Sequence, residues 1–142
     1  MDIYKAREYL NSLSDVYADI NRNMAVMDEL RSEMGSTGGA ICGDRVKCSA
    51  RGDRIESVVA KLIDYEEKTN RLIAKYDVMR KCRLKKIDYA CNKREADVLK
   101  AFYIYRKSNR EISDMLNISE STVHRLHKNG LKQFAQRYCD TK

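Results

Sequence analysis

The 142-residue chain has no proline and no tryptophan, and it has little glycine. Of its 6 glycines, Gly35, Gly38, Gly39 and Gly43 fall within one short stretch. A β-sandwich needs turn signals every ~8–12 residues, so this composition argues against one. No apolar run approaches the roughly 18 residues of a membrane span. The first residues, MDIYKAREYL, lack the basic-then-apolar order of a secretory signal. A cytoplasmic protein is expected, with no membrane and no small-molecule substrate.

The 5 cysteines (Cys42, Cys48, Cys82, Cys91 and Cys139) include no CxxC pair. A zinc site would have to recruit Cys42 and Cys48 with His124 and His127, and zinc-finger spacing is absent. Reduced thiols are the expected state. No nucleophile–base arrangement and no phosphate-binding glycine loop is visible. The chain therefore reads as a non-enzyme without cofactor or metal.

What is present is charge and helical periodicity. Charged residues make up 35% of the chain. Residues 1–79 hold 12 Lys+Arg against 14 Asp+Glu, and residues 80–142 hold 16 against 7. The halves carry −2 and +9, which together give the net +7. A basic C-terminal half points to a polyanionic partner.

Ile3, Ala6, Leu10, Leu13, Tyr17, Ile20, Met24 and Met27 follow a three-four alternation, the seam of a coiled coil. They predict one helix over 1–34, an arm of roughly 50 Å. The glycine cluster predicts a loop over about 35–52, with the GSTGG tip disordered. Asp53 and Glu56 fit a capping box for a second helix. Ile55, Val58, Leu62, Tyr65, Thr69, Leu72, Tyr76 and Met79 repeat the spacing. Val59, Ile63 and Ile73 widen the apolar face, which suggests more than one packing partner. The expected architecture is all-α: a long hairpin or coiled coil over 1–88 that oligomerises or binds a partner, then a helical domain over 89–142. Whether the long helices pair within or between chains is open at this stage.

In the second part, Asn92 and Glu95 suggest a cap. Ala96, Leu99, Phe102 and Tyr103 form an apolar face. Ser108 and Glu111 make a capping box opening a short helix over 109–116. Asn117 sits at a sharp turn, and asparagine tolerates the left-handed conformation. Ser119 is a good N-cap for a further helix. Val123, Leu126, Leu131 and Phe134 point inward. The spacing predicts a helix-turn-helix.

In such a motif the second helix enters the major groove, and its early residues meet base edges. Glu120, Ser121, Thr122, His124, Arg125, Lys128 and Lys132 form the outward face, and Arg110 is counted with them as DNA-binding. Arg125 can pair with guanine through two hydrogen bonds, and Glu120 can accept from cytosine. Ser121 or Thr122 can hold a phosphate. Lys132 and Arg137 are expected as phosphate neutralisers. His127 falls at the edge of the face. A helical hairpin that never touches DNA would use the same turn and core residues, and Glu111, Asp114 and Glu120 would repel phosphate unless aimed at bases.

Asn92 to Phe134 resembles region four of bacterial primary sigma factors. The matching residues are Arg94, Glu95, Val98, Leu99, Tyr103, Glu111, Ile112, Ile118, Ser119, Thr122, Val123 and Arg125. The likeness covers about the last third of the chain, and response-regulator output domains share much of it. Asn117 stands where glycine is frequent, Ser113 where alanine is, and His124 where arginine is. The likeness implies base contacts at Glu120, Ser121, His124 and Arg125.

The segment DRVKCSARGDRIESVVAKLIDYEE is similar to small phage and prophage proteins of the ArpU and RinA kind. That likeness implies a phage-encoded transcription regulator in a bacterial cell. The reading is a sequence-specific double-stranded DNA-binding regulator, a homodimer through its N-terminal helices, with bacterial RNA polymerase as a candidate partner. The alternative is a non-catalytic adaptor or anti-sigma-like protein that binds polymerase without reading DNA.

Overall fold

A computed structural model describes residues 2–36 and 45–139, with side chains over 2–35 and 52–138. The described chain is all-α. Helices α1 (Ile3–Ser36) and α2 (Arg45–Ala90) form a long hairpin. Then follow α3 (Lys93–Leu99), a π-helical turn over Lys100–Ile104, α4 (Asn109–Leu116) and α5 (Glu120–Cys139).

The long helices overrun the loop expected over 35–52. Helix α1 reaches Ser36 and α2 starts at Arg45, and most of the GSTGG tip lies outside the described residues. Gly52 is inside α2, in open space. A lone glycine costs a helix about 1 kcal/mol, too little to end one without a proline or a left-handed turn. Asp53 and Glu56 are therefore interior residues and cap nothing.

Two compact units divide the described chain: Met1–Val16 with Tyr76–Lys142, and Tyr17–Lys75. The core of the first unit draws on residues from both sides of residue 88. In the first unit Ala6, Leu10 and Leu13 of α1 pack with Ile87 and Ala90 of α2 and with Leu99, Leu131 and Phe134. The Tyr9 ring stacks on Phe134 at 6.1 Å, and Phe134 on Tyr138 at 5.8 Å. Gly130 allows the crossing of α5 over α3. A side chain there would begin 3.1 Å from Leu99 and 3.2 Å from Glu95.

Arg83 is buried in this unit without a carboxylate. Its Nε donates to the Tyr9 carbonyl at 3.1 Å and its guanidinium to the Ser12 hydroxyl at 2.6 Å. The charge lies 4.4 Å over the Tyr9 ring. Carbonyl, hydroxyl and π-face together replace the water that burial removes. Lys86 donates to the hydroxyls of Tyr9 and Tyr138, both at 3.0 Å. Burial works against its charge, but the two phenols outweigh it and its pKa rises.

In the second unit Ile20, Met27 and Leu30 of α1 and Val58 and Thr69 of α2 are buried. Met34 and Glu33 line one small pocket with Arg54, Ile55 and Val58, so the end of α1 lies beside the start of α2. Thr69 answers its own hydroxyl by donating to the Tyr65 carbonyl at 2.6 Å. The α2 seam keeps the predicted phase. The α1 seam keeps it at Ala6, Leu10, Leu13, Ile20 and Met27 and departs from it at Met24, which is 49% exposed, while Val16 is buried beside the seam. Ile63 and Ile73 are also exposed, so that part of the wide α2 face is not covered among the described residues.

Candidate nucleic-acid interface

Local chemistry sets the geometry of the C-terminal helices. Ser108 caps α4: its hydroxyl accepts from the Glu111 N–H at 3.2 Å, and the Glu111 carboxylate accepts from the Ser108 N–H at 2.8 Å. These bonds hold the Glu111 carboxyl below its ordinary pKa. Asn117 ends α4 in the left-handed region, φ 53 and ψ 46, as its place in the sequence predicts. The Ser113 hydroxyl donates to the Ile118 carbonyl across the turn. Ser119 then caps α5, its hydroxyl accepting from the Thr122 N–H at 3.2 Å. Behind the turn Val98, Ala101, Ile112, Val123 and Leu126 form a second cluster, flanked by Leu116 and Ile118.

The Asn92–Glu95 cap does not form. The Asn92 side chain makes no cap hydrogen bond, and its N–H donates to the Gln133 side chain at 3.1 Å. A partner 41 residues away in sequence replaces the local one. At the other end of that segment, Tyr105 N–H donates to the Lys100 carbonyl and Lys107 N–H to the Ala101 carbonyl, at 3.0 and 2.9 Å. Arg106, φ 52, closes the widened turn.

The outward face of α5 is open. Glu120, Ser121, His124, Arg125, Lys128 and Lys132 are exposed, and Thr122 is half-buried. At about 100° per residue the exposed six span an arc of about 140°, so the structure brings them to one face. The Thr122 hydroxyl lies 2.8 Å from that of Ser119, so it belongs to the cap. Arg110 is exposed on α4.

Arg137, expected among the phosphate neutralisers, is turned away: its guanidinium donates to the Tyr89 carbonyl at 2.9 Å. It lies roughly opposite the outward arc, a consequence of helical phase that a charge count ignores.

The two histidines differ. His124 is exposed, its Nε2 3.3 Å from the Asn109 amide. His127 is half-buried against Phe102 and Tyr103, its Nε2 3.0 Å from the Tyr103 hydroxyl. Arg7, from the first turns of α1, lines the same cleft as Tyr103 and His127. Burial raises the pKa of Tyr103, and Arg7 pulls it partly back. Burial lowers the pKa of His127, and the charges of Arg7 and His124 push the same way.

A pH dependence of stability follows. Above the ordinary value of 6.5 both folded and unfolded His127 are neutral, and stability is fully present. As pH falls through 6.5 the unfolded chain takes up a proton that the folded one refuses, so stability is lost until the lower folded pKa is reached. Thermal unfolding followed from about pH 7.5 to about pH 5.5 should show a falling Tm, and His127→Gln should flatten that fall. The Glu111 loss comes at lower pH, below its ordinary 4.5. An equally steep fall in the variant would remove His127 as the cause.

Sequence reasoning missed Arg7, Asn11 and Asn109 as neighbours of this face. Arg7 and Asn11 sit on the polar side of a seam helix, where nothing local marks them. Among the described residues no group of three or more His, Cys, Asp or Glu is placed to hold a metal ion, and no helix is long and apolar enough to cross a membrane. Cys42 and Cys48 lie outside the described side chains.

Residues 92–134 match the family model for Sigma-70, region 4. They form a helix-turn-helix domain of that kind, consistent with DNA binding. No curated protein and no solved structure matches the chain.

Proposed function

We infer that this chain is a sequence-specific double-stranded DNA-binding regulator of transcription, encoded by a phage or prophage and acting inside a bacterial cell, which reads the major groove with α5. The observation that carries the reading is the exposed arc of Glu120, Ser121, His124, Arg125, Lys128 and Lys132 on a helix whose start is fixed by Ser119 and Asn117. Early residues of such a helix meet base edges, and basic residues further along neutralise phosphate. The +9 charge of residues 80–142 supports it by drawing in a polyanion. The phage assignment rests on the likeness of residues 44–67 to ArpU- and RinA-type regulators.

The long helices act as the dimerising arm. Exposed Met24, Ile63 and Ile73 support this, since they leave apolar surface that a second copy can cover.

Selection of bound sites from a pool of random duplexes tests both statements. Enrichment of one motif is expected. Two-fold symmetry with half-sites spaced by about one helical turn, ~10 base pairs, is the mark of a dimer. An asymmetric motif would remove the dimer and leave the arm to another partner such as RNA polymerase. A pool that stays random after repeated rounds would remove base reading altogether.

A further inference from the structure

A cleft of about 390 Å³ opens beside α5. Arg7 and Asn11 of α1, Phe102 and Tyr103 of the π turn, Asn109 of α4, and His124 and His127 of α5 line it, and no Asp or Glu does. The walls carry one permanent cation, two amides and two imidazoles, which are the groups that bind phosphate oxygens. Arg7 lines the cleft together with Tyr103 and His127, and its charge bears on both. His124 belongs both to this cleft and to the outward arc of α5. An anion seated here would lie at the edge of a groove that α5 had entered.

We propose that the cleft seats one phosphate of the duplex backbone, with Arg7 as its main ligand and Asn11, Asn109 and His124 around it. The first turns of the long N-terminal helix then belong to the DNA interface, outside the helix-turn-helix. This rests on the DNA-binding reading above. It differs in kind from base recognition, because a phosphate contact carries no sequence information.

Duplex affinity measured by fluorescence anisotropy over a range of salt tests it, using the full chain and a short random-sequence duplex. Each phosphate contact contributes about 0.9 to the slope of log affinity against log salt. Arg7→Gln should make the slope shallower by about that amount, so that a fourfold rise in salt weakens the variant about three- to fourfold less than the wild type. Arg7→Lys should keep the slope. Asn11→Asp, which leaves Arg7 itself in place, should weaken binding by adding a negative charge to the cleft, and it serves if Arg7→Gln disturbs folding.

Arg125→Ala separates the two ideas. Unchanged slopes for Arg7→Gln and unchanged affinity for Asn11→Asp, with Arg125→Ala still altering sequence preference, would overturn the phosphate seat alone. A shallower Arg7→Gln slope with Arg125→Ala silent would keep the seat and remove base reading. A wild-type protein that binds no duplex would overturn both. Inorganic phosphate that shifts the His124 and His127 NMR signals, while the cleft variants bind duplex normally, would give the cleft to a free anion and overturn the proposal.

Discussion

Arg125→Ala should abolish the preference for one base pair of the selected site while leaving the fold intact. The side chain is exposed on α5, between one and two turns beyond the Ser119 cap. Exposed substitutions away from caps and cores change stability by about 0.5 kcal/mol or less. A bidentate arginine–guanine pair discriminates against the wrong base by about 1–3 kcal/mol, roughly 5- to 150-fold in affinity ratio. The loss should fall at one position of the site. Removing a phosphate ligand would instead weaken all duplexes evenly and reduce the salt slope. The measurement is affinity for the selected duplex and for each single-position variant of it. A substituted protein that ranks these duplexes as the wild type does would take Arg125 out of base reading and favour a domain that binds polymerase instead.

The part of the fold that makes this prediction possible was also the easiest to read from the residues. Ser108 with Glu111, Asn117 and Ser119 each act through bonds to neighbours within a few positions. Such bonds need no knowledge of the remainder of the chain. The α2 seam was legible for the same reason, since its period is intrinsic to the helix.

Readings failed where distant residues decide. Asn92 looks like a cap, but Gln133 takes its N–H. Arg137 adds to the basic count, but the Tyr89 carbonyl holds it. Met24 fits the repeat, but it is exposed between buried Ile20 and Met27. The loop was misjudged differently: glycine was read as a stop signal, although its cost of about 1 kcal/mol is an energy the helix can absorb. The candidate site was legible along α5 and invisible along α1, because Arg7 reaches the cleft only through tertiary packing.

Phe134→Ala should be the most destabilising single change, by about 3–5 kcal/mol. The ring is fully buried, between Tyr9 of α1 and Tyr138 of α5. Its removal leaves a void lined by residues from α1 and α5, so collapse to fill it would require α1 or α5 to shift. The cost is not confined to the C-terminal helices. Ala6, Leu10, Leu13 and Ile87 share that core, so the start of α1 and the end of α2 lose their cover along with α5. Amide hydrogen exchange resolved by segment distinguishes this from an autonomous domain beginning near residue 89. Faster exchange should appear together over 3–16, 76–90 and 92–139 of the variant. An α1 start that exchanges at the wild-type rate while 92–139 opens would mean that the helix-turn-helix part stands by itself, and that the packing of Tyr9 on Phe134 contributes little to holding the chain together.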